Sequence, residues 1–296
     1  MRIEMFNFWY FFFIAALVGA YFGLYFLLRN RSTHTKYLVL YSILVFALLL
    51  HFLKAFIPPY STDESRLFRD IWFINICAVN ILVFPFIFLS KSETLRDYMV
   101  YIGLASGIIA MLYPTEPMLK LDQSAELLDI IRFYIHHGIL WIVPLLMMTL
   151  GLHRVSYKRL LRMAPCLLAV FLFIMFNQLM QQELGFTPVR GNGSLDITAI
   201  GYKNTSYIWG AEEGDVIGKI LDVFCPRLFK TIPVGKYAGE AKHWPFFWLV
   251  VPVYVLFTTL CFGICLIFDR KNTVEALGRV KLKLKAALSK LRRRSE

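Results

Sequence analysis

Long apolar stretches separated by short polar loops dominate the chain. Seven of them run for roughly 19–25 residues, close to the ~20 that an α-helix needs to cross the hydrocarbon core of a bilayer. The pattern therefore predicts an all-α, polytopic membrane helix bundle of about seven transmembrane helices. The predicted spans are Phe6–Leu28, Tyr37–Ile57, Phe68–Leu89, Leu95–Tyr113, Ile130–Leu152, Leu160–Met180 and Trp244–Phe268.

Two spans have features that bear on the bundle. In the first, Val18-Gly19-Ala20 resembles a signal-peptide cleavage site, but the apolar run continues through Leu28 and no basic segment precedes it. We therefore expect a retained first helix. In the fourth, Gly103, Ser106 and Gly107 favour a close contact with a neighbouring helix.

Composition agrees with a membrane protein, because 58% of the residues are hydrophobic and only 18% are charged. Lysine and arginine are concentrated in the loops after spans one, three and five and in the tail, which places the N-terminus outside and the C-terminus inside. Residues 1–268 are then the helix bundle, and 181–243 form an extracytoplasmic loop within it. In that loop the apolar spacing over Gly210–Phe224 predicts a short amphipathic helix.

The segment 269–296 is strongly basic, with ten basic and three acidic residues. Apolar residues recur there at helical spacing, at Leu277, Val280, Leu284, Leu288 and Leu291. We expect a basic amphipathic helix on the cytoplasmic leaflet that binds anionic lipid head groups, and no nucleic acid.

Polar residues inside the spans are the candidates for function, because such groups are costly at membrane depth. With the predicted orientation they all fall in the outer half of the bilayer. Arg132 lies near the interface, where it could meet a phosphate. The set comprises His51, Asn75, Cys77, Asn80, Arg132, His136, His137 and Asn177.

A cysteine beside a histidine suits acyl transfer, because an imidazole that takes the thiol proton leaves a strong nucleophile. Asn75 or Asn80 could donate to the oxyanion that forms. A metal site from His51, His136, His137 and an acid is conceivable, but no acid is assigned to the interior of the spans, so no metal or other cofactor is expected. Two plainer interpretations remain open: Cys77 as a small packing residue, and the histidines as hydrogen-bond donors to neighbouring helices.

Several segments resemble a known family. Phe73-Ile74-Asn75-Ile76-Cys77 resembles the third-helix motif of YwaF-type integral membrane proteins, in which His-x-Cys is usual. Residues 133–138 resemble that family's aromatic helix start, with His137 in the histidine position. Residues 204–207 and 243–248 are similar to its outside loop and the aromatic start of its last helix.

That family is similar to the lipid acyltransferases typified by transmembrane protein 164, and more distantly to membrane hydrolases of fatty-acid esters that use a Thr and a His. The resemblance implies Cys77 as nucleophile and His137 as its base, with membrane phospholipids as substrates and the bacterial plasma membrane as the location. One departure is that Asn75 stands where the family usually has His, so His136 or His51 would have to replace it.

Two other functions stay open. A non-enzymatic transporter or lipid-binding protein would use the polar residues to hold a head group, and Cys77 would be dispensable. A receptor or assembly partner would act through the long outer loop.

Overall fold

The computed structural model describes residues 2–63, 67, 70–118, 123, 126–184, 204, 206–211, 215–233 and 238–295. The described residues are helical or irregular and contain no β-strand. The main helices are α1 (Phe8–Leu28), α2 (Thr33–Leu53), α3 (Ile76–Leu89), α4 (Glu93–Leu112), α5 (Leu127–Thr149), α6 (Met163–Glu183), α7 (Val216–Val223), the last span α8 (Phe247–Phe268) and the tail helix α9 (Arg270–Ser295).

The prediction of an all-α, multi-pass membrane protein is confirmed. Within the described ranges, six helices are long and apolar enough to cross a membrane. The helix α3 has only 14 residues, about 21 Å, against a hydrocarbon core of about 30 Å. The prediction of one continuous helix over Phe68–Leu89 is wrong, because residues 72–75 are not helical. The count of seven spans and the orientation stay predictions.

Helices α4 and α5 lie in close contact through glycines. A Cβ atom on Gly103 would lie 2.3 Å from the carbonyl oxygen of Leu140, and one on Gly107 would lie 2.8 Å from that of His137. Only glycine allows the two backbones to approach so closely. The predicted close helix contact in the fourth span is confirmed.

The first helix is part of the bundle. The ring of Phe13 stacks on that of Tyr134 with centroids 4.0 Å apart. One turn further, Leu17 occupies the space that a side chain on Gly138 would need. This contact packs α1 against α5, while retention of the first helix stays a prediction.

A buried ion-pair cluster joins α4 to the chain that follows α5, at the predicted inner end of the bundle. The Asp97 side chain is fully buried and lies 2.7 Å from Nε2 of His153. It also accepts hydrogen bonds of 2.6 and 3.0 Å from Arg159. The expectation that the spans hold no acid is wrong, because Asp97 falls inside the fourth predicted span and is buried there.

Two predicted surface helices are present. The helix α7 lies within the predicted Gly210–Phe224 segment, and α9 covers almost the whole basic tail. On α9 the apolar side chains of Val274, Val280 and Leu288 are exposed. Contact of either helix with lipid remains a prediction.

Candidate functional site

Residues 72–75, directly before α3, are non-helical, and carbonyls in and just before this segment accept hydrogen bonds from residues distant in sequence. His51 Nε2 donates to the carbonyl of Ile71 at 3.0 Å, and Asn177 Nδ2 donates to that of Phe73 at 3.0 Å. Lys54 donates to the carbonyl of Asp70. Non-helical backbone at membrane depth is tolerated where the surrounding protein satisfies it in this way. Asn177 thus stabilises the non-helical segment itself, and His51 stabilises the residue directly before it.

Two further hydrogen bonds fix the beginning of α3. Asn75 is its N-cap, and its Oδ1 accepts from the N–H of Ala78 at 2.8 Å. Ser206, from the predicted outer loop, accepts from the N–H of Ile76 at 3.1 Å. Asn75 therefore caps the helix.

Cys77 is the second residue of α3 and is half-buried. Its thiol lies beside the Ser106 hydroxyl of α4. The Ser106 hydroxyl donates its proton to the carbonyl of Ile102 at 2.8 Å. The first turn of a helix favours negative charge, which makes this position suitable for a thiolate.

His137 is held in one tautomer. Its Nδ1 lies 2.8 Å from the carbonyl oxygen of Phe133. A carbonyl only accepts, so Nδ1 carries the proton and Nε2 presents its lone pair. Within the described part of the chain, Nε2 has no hydrogen-bond partner. The imidazole is therefore arranged as a proton acceptor.

Cys77 and His137 reach the same turn of α4 from different helices. The Cys77 thiol meets Ser106, and the backbone carbonyl of His137 lies against the next residue, Gly107. Cys77, Ser106 and His137 are each half-buried, whereas Gly107 is buried. The structure thus places the two predicted catalytic residues on helices that converge at one point of α4.

His136 is bonded through both ring nitrogens. Nε2 donates to the carbonyl of Ala47 at 3.1 Å, and Nδ1 accepts from Arg132 at 3.2 Å. Neither nitrogen is left to take a proton. The two adjacent histidines therefore have different chemistry: only His137 presents an unbonded nitrogen.

Arg132 is buried and its guanidinium is engaged on several sides. It lies 2.6 Å from Asp129 and 3.9 Å from Glu116, and it donates to Tyr60 Oη at 3.4 Å. A lipid phosphate would have to compete with these partners. The expected phosphate contact of Arg132 stays a prediction.

Asn80 is fully buried one turn after Cys77 on α3. Its Oδ1 accepts from the Tyr98 hydroxyl of α4 at 3.1 Å. Among the described residues its Nδ2 has no hydrogen-bond partner. Such a group is rare in native proteins and costs about 1–3 kcal/mol.

Sequence reasoning missed Ser106, Ser206 and Tyr98. Asn75 carried a usable signal, since asparagine is a favoured N-cap and its position marks the true start of α3. The serines and the tyrosine gave no local signal, because they act only through contacts with other helices. In the described ranges no group of three or more His, Cys, Asp or Glu side chains is placed to hold a metal ion.

In the predicted outer loop, a group of polar side chains outside the spans ties the loop to the last span. Asp222 of α7 accepts from Lys230 at 2.7 Å and is also hydrogen-bonded to His243. Partial burial raises the pKa of the Asp222 carboxyl, but these two bonds more than offset it, so its pKa is lowered. His243 in turn lies over the ring of Trp248, with centroids 4.4 Å apart, which connects the loop to α8.

Comparisons with curated proteins and with solved structures found no match. A family model does match, over residues 4–209, more than two thirds of the chain. The matched region contains α1 to α6, the non-helical segment, Cys77, His137 and Ser206. The likeness to transmembrane protein 164 is confirmed, while the YwaF-type affinity stays a prediction. The chain belongs to the TMEM164 family.

Proposed function

We propose that the protein is a lipid acyltransferase or lipid ester hydrolase in which Cys77 attacks a glycerolipid ester. The observation that carries the proposal is the position of Cys77, in the first turn of a helix that begins inside the bundle. There the helix dipole favours a thiolate, and the polar residues before it keep the backbone open.

His137 acts as the base. Its Nδ1–H is fixed on the Phe133 carbonyl, so Nε2 can take the proton of the Cys77 thiol. The thiolate then forms a C–S bond to the ester carbonyl carbon. The ester C–O bond breaks, and the departing lysolipid alkoxide takes the proton from His137. The product is an acyl thioester on Cys77.

Release of the acyl group follows the same path in reverse. A hydroxyl-bearing lipid or water gives its proton to His137 and attacks the thioester. The Cys77 thiolate leaves and is protonated again. A lipid acceptor makes the protein an acyltransferase and water makes it a hydrolase.

We also propose the bacterial plasma membrane as the site of action and membrane phospholipids as the substrates. The predicted outer position of the cysteine puts it near the depth of phospholipid ester groups. The exposed apolar side chains of the basic helix α9 support its contact with anionic lipid on the inner leaflet.

The test is intact-protein mass spectrometry of the full chain incubated with mixed phospholipids. We expect a hydroxylamine-sensitive acyl adduct on the wild type and none on Cys77→Ala. Cys166→Ala is the matched control, because Cys166 is also half-buried and lies on the neighbouring helix α6; it should keep the adduct.

Absence of both an adduct and lysolipid release in the wild type would contradict the proposal. The alternative is a non-enzymatic protein that binds or transports lipid head groups. It predicts that phospholipid binding is the same in the wild type and in Cys77→Ala.

A further inference from the structure

The beginning of α3 contains a backbone donor without an acceptor. The N–H of Ile76 is taken by Ser206, and that of Ala78 by Asn75. Within the described part of the chain, the N–H of Cys77 between them has no acceptor. A free N–H at the start of a helix binds an anion well.

A second unbonded donor lies on the same face of the helix. Asn80 follows Cys77 by three residues, and side chains at this spacing are neighbours on a helix surface. Asn80 is fully buried, and its Nδ2 has no partner in the described ranges. A buried amide of this kind lowers stability unless something else binds it.

The orientation of this amide is fixed from outside α3. Tyr98 donates its hydroxyl proton to Asn80 Oδ1 at 3.1 Å. With the oxygen occupied, the two N–H groups of the amide remain for another acceptor.

We propose that the Cys77 N–H and the Asn80 Nδ2 amide form an oxyanion-binding site for the ester carbonyl, with Tyr98 as a positioning residue. This inference rests on the proposed acyl transfer. When the Cys77 thiolate forms the C–S bond, the π electron pair moves to the carbonyl oxygen, and the two donors bind the resulting oxyanion. The pair returns when the ester C–O bond breaks.

The oxyanion-binding site should accelerate acylation of Cys77 but not its alkylation, whereas Cys77 and His137 take part in both reactions. Acylation of Cys77 passes through an oxyanion, whereas alkylation by iodoacetamide is a direct displacement with no oxyanion. Loss of an oxyanion donor slows only the first reaction. A residue that merely supports the helix affects both.

The experiment compares the two reactions at Cys77 in the full chain in detergent micelles. The probes are p-nitrophenyl octanoate and iodoacetamide, each read at the Cys77 peptide by mass spectrometry. Asn80→Leu removes the donor at similar volume. We expect octanoylation to fall about 10²–10³-fold while alkylation stays nearly unchanged. Asn80→Gln keeps an amide and should recover part of the rate.

Tyr98→Phe and the double variant Asn80→Leu/Tyr98→Phe complete the set. Tyr98→Phe frees the amide to rotate and should slow octanoylation by a smaller factor. The double variant leaves no unpaired polar group at this contact, so it keeps its thermal stability and its alkylation rate. Its octanoylation should be as slow as that of Asn80→Leu.

Equal octanoylation of the wild type and Asn80→Leu would overturn the inference and leave the proposed function standing. A parallel fall in octanoylation and alkylation would also overturn it, by assigning Asn80 a structural role. No octanoyl adduct on a wild type that iodoacetamide labels at Cys77 would instead overturn the proposed function itself.

Discussion

Ser206 Oγ accepts a hydrogen bond of 3.1 Å from the backbone N–H of Ile76, although the two residues are 130 positions apart. Ile76 directly precedes Cys77, so a residue of the predicted outer loop forms part of the capping structure at the candidate nucleophile. The loop is therefore a component of the site. This contact leads to the first prediction.

Ser206→Ala should lower the reactivity of Cys77 at a cost of only about 1 kcal/mol in stability, because one hydrogen bond at a helix start is lost. The measurement is the rate of iodoacetamide alkylation at the Cys77 peptide. Ser32→Ala is the control, since Ser32 caps α2 in the same way. Equal alkylation rates in Ser206→Ala and the wild type would contradict this coupling.

His137→Gln should mainly slow acyl-adduct formation, whereas His136→Gln should mainly lower stability. The first removes the proposed base and should slow acyl-adduct formation about 10²–10⁴-fold with little loss of stability. The second leaves the Ala47 carbonyl and the Arg132 guanidinium short of partners and should cost about 2 kcal/mol. Adduct formation and thermal unfolding, measured on both variants, separate the two roles. Comparable adduct rates in the two variants would count against His137 as the base.

Gly103→Ala and Gly107→Ala should force α4 and α5 apart. Each new methyl group meets backbone of α5, and overpacking of this kind costs about 1–3 kcal/mol. Gly107→Ala should also slow acylation, because it displaces the His137 backbone. Gly23→Ala in α1, where nothing lies within 4 Å of the added carbon, should be harmless. Melting temperatures and adduct rates of the three variants provide the check.

Asp97→Asn should destabilise the bundle by about 3 kcal/mol, because it leaves the half-buried Arg159 and the buried His153 without their carboxylate. Glu93→Gln is the matched control: Glu93 lies 3.5 Å from Arg159, but its side chain is 56% exposed, so we expect about 0.5 kcal/mol or less. Thermal unfolding in detergent measures both. Similar melting temperatures for the two variants would mean that the cluster does not stabilise the fold.

The sequence predicted the membrane helices well, because each signal is local. Apolar length gave α1, α2, α5 and the last span nearly as they occur, and apolar spacing gave α7. The prediction for the third span was wrong because its structure depends on contacts that are not local. Hydropathy reads residues 72–75 as part of the helix, but they are non-helical, and the carbonyl of Phe73 bonds to the distant Asn177.

In the candidate site, too, local features could be predicted and contacts between helices could not. Cys77 and His137 could be selected by residue type and depth, and the structure brings their helices to one turn of α4. The distinction between His136 and His137 could not be made, because it depends on which carbonyl each ring meets. The Tyr98 contact that leaves the Asn80 amide nitrogen unpaired was equally invisible, since it joins two helices.

The hydrogen bonds that hold the segment before α3 have a consequence for biosynthesis. Asn177 follows Phe73 by 104 positions, and Ser206 follows Ile76 by 130. A chain still emerging from the ribosome can insert its first helices long before either partner has been made. The nucleophile would then acquire its final surroundings only late in synthesis, so a truncated or half-inserted chain would carry the cysteine without its reactivity.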